Sequence, residues 1–128
     1  MNVIGIDIGG THFRIGTGDE KGSISKFQKL PSKQILHSSD VLNDIAEFIA
    51  DYTDGMKYCA VSIGFPATLN RERTKVLQAP NLKFMEDLPV VSYLQDRLNV
   101  PVCAERDVTM ALCYDMKKYN IPHDGIIC

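Results

Sequence analysis

No apolar run in this 128-residue chain approaches the roughly 18 residues that a membrane-spanning helix needs. The opening MNVIGIDIGG has no charged stretch ahead of an apolar core and breaks at its glycines, so it does not read as a secretory signal. Neither sign of charge dominates. Fourteen Lys and Arg stand against 16 Asp and Glu, for a net charge of −2, and acids and bases are interleaved. A nucleic-acid footprint would need a basic block or stripe, and none is present; nor is there an acidic tail. These absences predict a soluble, cytoplasmic protein with no nucleic-acid or membrane partner. Cysteine is scarce: Cys59, Cys103, Cys113 and Cys128 form no C-x-x-C pair and have no histidine at ligand spacing. Cys59 and Cys103 lie in apolar, strand-like runs and are expected to be buried free thiols of a reducing compartment, with zinc or disulfide roles as the minor alternative. Internal repeats and low-complexity segments are also absent.

What is present is about one domain's length of chain, 45% apolar and 23% charged, enough to build a core. NVIGIDI (2–8) is rich in β-branched residues and reads as a strand. In THFRIGTG (11–18), Phe13 and Ile15 share one face and His12 and Arg14 the other, a half-buried strand. DEKG (19–22) is a turn, and SISKFQKL (23–30) a third strand on which Ile24 and Phe27 are expected to be buried. The period then lengthens. Val41, Leu42, Ile45, Phe48, Ile49 and Tyr52 fall at helical spacing within 38–55, with Ser39 or Asp40 as cap and Gly55 beyond the end. KYCAVSIGF (57–65) reads as a central strand covered on both faces. Residues 66–82 read as loop with a short strand or two, 87–98 as a helix with Pro89 early and Val91, Leu94 and Leu98 inward, and 100–105 as another strand. A third helix is predicted over 107–119, capped by Asp107, and the start of a further strand at 124–128. The order β-β-β-α-β-α-β-α predicts an α/β domain, three antiparallel strands continuing into parallel ones with helices on the faces. A strand beginning at the last residues suggests one domain of a larger molecule.

Two stretches could carry chemistry. In GIDIGGTHFRIG, Asp7 ends the first strand and is followed by Gly9, Gly10, Thr11 and His12. A Gly-Gly pair can be a tight hairpin turn and no more. It can also let a phosphate approach backbone N–H groups that a Cβ would shield, with the Thr11 hydroxyl as a further donor. Asp7 beside such a loop could hold Mg²⁺ through water, since Mg²⁺ takes oxygen ligands and keeps part of its hydration. In PVCAERDVTMAL (101–112), Asp107 follows a strand at the end where α/β sheets place their ligands. It can be a helix N-cap, a general base that accepts the proton of an attacking hydroxyl, or both.

The carboxylate–glycine hairpin Asp7-Ile8-Gly9-Gly10-Thr11 resembles the first phosphate loop of the actin-like (ribonuclease H-like) and hexokinase-like ATPases. Within that group the chain resembles the ROK sugar kinases. SIGFPA (62–67) is similar to the family's strand and Gly-x-Pro, APNL (79–82) to its Pro-Asn-Leu, and PVCAERDVTMAL to the segment carrying its base. The resemblance runs over the whole chain in order. It implies the N-terminal domain of a two-domain kinase that uses ATP and Mg²⁺, the second domain supplying the rest of the nucleotide site and any structural zinc. It implies that Asp7, Gly9, Gly10, Thr11 and His12 serve the phosphates, that Gly64, Phe65, Pro66, Asn81, Arg106 and Asp107 serve a hexose, and that Asp107 is the base. The full-length protein is then expected to be a homodimer. This domain alone is expected to be inactive.

Three departures from the commoner ROK pattern are His12 after the loop, Ala67 after Gly-x-Pro, and Arg106 in place of Asn before the catalytic Asp. They resemble the D-allose kinase branch, in which O6 of the sugar is phosphorylated. Arg106 can be a specificity residue, its rigid fork of donors reading a hydroxyl of different orientation, or a solvated helix-start arginine. Asn81 can bind hydroxyls or turn the chain, Phe65 can wall the pocket or fill the core, and Arg14 can approach a phosphate or face solvent. A ROK glucokinase or an N-acylhexosamine kinase is the alternative enzyme. A sugar-sensing ROK transcriptional regulator is disfavoured because Met1 leads directly into the first strand. A non-catalytic scaffold is disfavoured because it needs neither Asp7 nor Asp107.

Overall fold

The computed structural model describes residues 1–106 and Lys118. The expectations placed on Asp107, on the third helix over 107–119 apart from Lys118, and on Cys113, Cys128 and the strand at 124–128 lie outside the described residues.

Strand β1 (Val3–Ile8) forms where Ile4, Ile6 and Ile8 alternate with Gly5 and Asp7, and the three isoleucines are buried on one face. It pairs antiparallel with β2 (His12–Gly18), in register Asp7 to Arg14 and Ile8 to Phe13. β2 pairs antiparallel with β3 (Ile24–Pro31). A one-turn helix α1 (Ser32–Ile35), too short to show a period in the sequence, joins β3 to α2 (Val41–Tyr52). Asp40 caps α2 by accepting from the Asn43 amide at 3.2 Å, and Gly55 takes up the left-handed backbone just past its end, at φ 71°. β4 (Ala60–Phe65) lies parallel to β1. A two-stranded ribbon follows, β5 (Thr68–Leu69) and β6 (Val76–Gln78), then a 3₁₀ turn at Lys83–Met85 and helix α3 (Val90–Leu98). β7 (Val102–Arg106) returns parallel to β4. The main sheet therefore runs β3-β2-β1-β4-β7, which is the expected mixed arrangement.

Helices α2 and α3 pack beside each other over the isoleucine face. The core joins Ile4, Ile6, Ile8, Phe13 and Ile15 to Ile45, Ile49, Ile63 and Leu94. Burying such side chains is worth about 1.5–3 kcal/mol each. At the rim, the Tyr52 hydroxyl lies 2.9 Å from Thr17 Oγ1 and donates to the Lys26 carbonyl at 3.1 Å.

Two expectations fail for one reason. Ile24 and Phe27 are exposed, at 71% and 57%, and Cys103 is exposed rather than buried, with Cys59 half-buried. Among the described residues the helices cover a single face of the sheet. Phe27 pairs with Gly16 and points to the other face, while Lys26 and Leu30 take the helix side opposite Thr17 and Phe13. A register shift between Thr17 and Gly18 resets the phase before Ile24. Cys103 alternates with the buried Val102 and Ala104 and so falls on that same open face. For the same reason β4 is not sealed on both sides by the described residues.

Candidate functional site

The C-terminal ends of three parallel strands meet at one edge of the sheet. Register aligns Asp7 on β1 with Gly64 on β4, and Gly64 with Glu105 on β7. Paired residues in a parallel ladder direct their side chains to the same face, here the one opposite the helices. The backbone positions of two acidic residues, Asp7 and Glu105, thus lie about 10 Å apart across two strand spacings, and the residue between them is a glycine with no side chain.

The glycine loop closes this edge. The Gly9 amide donates to the His12 carbonyl at 3.0 Å, leaving Gly10 and Thr11 as a two-residue hairpin loop. Neither glycine uses a positive φ; among the described glycines only Gly22 and Gly55 do. Space is what requires them. A Cβ on Gly9 would stand 2.9 Å from the His12 carbonyl oxygen, and one on Gly10 would stand 2.9 Å from Asn81 Cβ. The second contact brings the Pro-Asn-Leu segment against the loop, so two stretches 70 residues apart form one surface. From beneath, Ser32 holds the loop: its Oγ donates to the Gly9 carbonyl at 2.7 Å and its amide to the Thr11 carbonyl at 2.8 Å. Ser32 is 4% exposed. Sequence reasoning missed it, because a serine opening a one-turn helix carries no periodic signal; a small polar residue directly after Pro31 is the only hint.

Asp7 is paired with Arg14, which stands directly across the β1–β2 ladder and donates from Nη1 to Oδ2 at 3.0 Å. Both side chains are more than two-fifths exposed. Arg14 is therefore neither a free solvated residue nor aimed at the loop alone; it is the ion-pair partner of Asp7. The second oxygen of Asp7 has no protein partner among the described residues. No group of three or more His, Cys, Asp or Glu gathers into a metal cage among those residues. One carboxylate with one open oxygen fits a magnesium ion that takes its other ligands from water and phosphate.

The remaining expected residues divide. Pro66 follows β4 at the same edge, and Asn81 sits against the loop. Arg106 ends β7 in register with Phe65 and is exposed. Phe65 is fully buried, so its side chain is core and only its backbone faces the edge. Asp107 follows Arg106 in the chain and is outside the described residues. Glu105, which sequence reasoning passed over as an acidic neighbour, is held by two contacts. Its Oε2 accepts from Arg73 Nε at 2.7 Å and its Oε1 from the Arg106 amide at 3.0 Å.

A family model described as ROK family matches residues 3–128. A glucokinase of Streptomyces coelicolor is 32% identical over 126 residues, covering 98% of this chain and 39% of that protein. A glucokinase of Thermotoga maritima is 33% identical over 109 residues, 84% of this chain and 34% of that protein. Among solved structures, a ROK family glucokinase from Streptomyces griseus in complex with glucose and AMPPNP superposes with a TM-score of 0.77 at 28% identity, over 91% of this chain and 36% of that one. The chain spans about two fifths of the length of the curated relatives it matches. No described helix is long and apolar enough to cross a membrane.

Proposed function

Since the chain belongs to the ROK family, we propose that it supplies the phosphate loop and the sugar-facing sheet edge of an ATP-dependent hexose kinase, with D-allose as the hexose and O6 as the acceptor. The observation that carries this reading is the contact of Gly10 with Asn81. It joins a loop suited to phosphate with a segment suited to sugar hydroxyls at the edge where β1, β4 and β7 end, beside Asp7, Gly64 and Arg106.

In this mechanism Gly9, whose amide closes the hairpin on the His12 carbonyl, shapes a loop in which the amides of Gly10, Thr11 and His12 and the Thr11 hydroxyl hold the phosphates of ATP. Pro66, Asn81 and Arg106 hold the sugar, beside the buried Gly64 near the end of β4. Asp107 orients the 6-hydroxyl and accepts its proton. The new bond forms between O6 and the γ-phosphorus, the bond from that phosphorus to the β,γ-bridging oxygen breaks, and ADP leaves with the electron pair. Most of the acceleration comes from positioning and from fixed charge in a site that excludes water. Magnesium, when bound through Asp7, would screen the charge on the phosphates. Arg14 would then give up part of its hold on Asp7 and lie free to meet a phosphate oxygen.

Glucose is the alternative hexose, because the curated relatives are glucokinases; the allose reading rests on the resemblance of His12, Ala67 and Arg106 to the D-allose kinase branch, with Arg106 offering the donors to read a differently oriented hydroxyl. The test is ADP release by the full-length protein with Mg-ATP and D-allose, D-glucose, D-mannose and N-acetylated hexosamines. A preference for allose is expected. Turnover with another hexose alone would retain the kinase and overturn the sugar. Folded protein that binds a hexose without turning it over would overturn the kinase in favour of a sensor.

A further inference from the structure

The β5–β6 ribbon projects from the sheet edge beside β7, and its turn is tightly organised. Asn70 Oδ1 accepts from the amides of Thr74 at 2.7 Å and Lys75 at 3.0 Å, and Asn70 Nδ2 donates to Thr74 Oγ1 at 2.8 Å. The Arg73 amide donates to the Asn70 carbonyl at 3.0 Å. Arg73 itself adopts a left-handed backbone, φ 56°, which glycine or asparagine takes at lower cost. The turn thus presents an arginine side chain at a position the backbone would rather give to another residue. That side chain reaches Glu105 across the edge.

We infer that Arg73 is a positioning residue for the hexose: through Glu105 it ties the β5–β6 ribbon to the end of β7 and so helps set where Arg106 stands relative to Asn81. This rests on the kinase reading above. The chain of contacts is continuous. Arg73 Nε donates to Glu105 Oε2, and Glu105 Oε1 accepts from the Arg106 amide. At its other end the ribbon runs through Gln78 and Ala79 into Asn81, with the Ala79 amide donating to Glu86 Oε1 at 3.0 Å. The two segments assigned to sugar are therefore linked by an ion pair, in addition to the buried Ala79 and Leu82 and the β4–β7 ladder that seat each of them. With Arg73 57% and Glu105 26% exposed, such a pair adds little to global stability. Its loss should show in binding rather than in folding. The phosphate loop touches Asn81 but lies two strands from β7 and is anchored separately by Ser32, so ATP binding should sense the loss much less than hexose binding.

The test compares R73Q, E105Q, the double variant and R73K in the full-length protein. Each neutral single variant is expected to raise the hexose KM roughly five- to tenfold, the scale of coupling within one ion-pair network. The ATP KM should stay within about twofold, the double variant should be no worse than either single, and R73K should recover part of the loss. Additive losses, or hexose and ATP KM rising together, would overturn the proposal. The same variants are read by the thermal shift that hexose alone induces. An inactive wild type whose hexose shift is lost in R73Q sinks the kinase reading and keeps this one. An active wild type matched by R73Q in both readouts sinks this one and keeps the kinase, and a wild type that neither binds nor turns over hexose sinks both.

Discussion

Replacing Gly10 by alanine probes the joint between the two halves of the proposed site. The added Cβ would stand 2.9 Å from Asn81 Cβ and 3.4 Å from the Asn81 carbonyl oxygen. Carbon pairs settle at about 3.5–4.0 Å, so loop and segment must separate by up to about 1 Å. Neither contacted atom is the free end of a flexible side chain. The loop cannot yield downward either, since Ser32 holds both the Gly9 and Thr11 carbonyls. Overpacking of this kind costs about 1–3 kcal/mol. Part should appear as lost stability in urea unfolding and part as a displaced loop, raising the KM of both ATP and hexose. Gly5→Ala is the matched control, for its Cβ would meet nothing within 4 Å among the described residues; it should change stability by no more than about 0.5 kcal/mol. A Gly10→Ala protein as stable as the control, with both KM values unaltered, would refute the argument that close approach is what keeps a glycine there.

Two further substitutions separate loop support from core support. Ser32→Ala removes the 2.7 Å bond to the Gly9 carbonyl; we expect a loss of about 1 kcal/mol and a few-fold rise in ATP KM with little change for hexose, measured by steady-state kinetics beside urea unfolding. Tyr52→Phe removes the hydroxyl shared with Thr17 and, among the described residues, leaves that threonine only Met56 Sδ, at 3.6 Å. A loss of about 1–2 kcal/mol with both KM values unchanged is expected from the same pair of measurements.

Much of this fold is legible in the chain because its elements have clean periods. The isoleucines of β1 and the apolar stripe of α2 each state one buried face, and the helix termini carry Asp40 and Gly55. β3 was harder. Its apolar residues fall three apart, so Ile24 and Phe27 suit neither period, and only the pairing with β2 and its shifted register decides that they face outward. Cys103 misled for a related reason: an apolar run shows that a strand exists but not whether both its faces are covered. At the site, the glycine loop could be recognised but not the reason for its glycines. For Gly10 that reason is Asn81, a contact made by the return of a distant segment, and for Gly9 it is the His12 carbonyl across the hairpin. Ser32, Arg73 and Glu105 were invisible in the same way, because each acts through a partner remote in sequence or through a turn without period.

Under the proposed function this sheet edge binds a sugar hydroxyl for transfer of phosphate, with the residue after Arg106 as the base. Asp107→Asn in the full-length protein tests it most directly, measured as kcat for ADP release beside the hexose dissociation constant. A general base contributes about 10²- to 10⁴-fold, so kcat should fall by that range while the hexose dissociation constant changes no more than a few-fold. Turnover that survives the substitution unchanged would contradict the account.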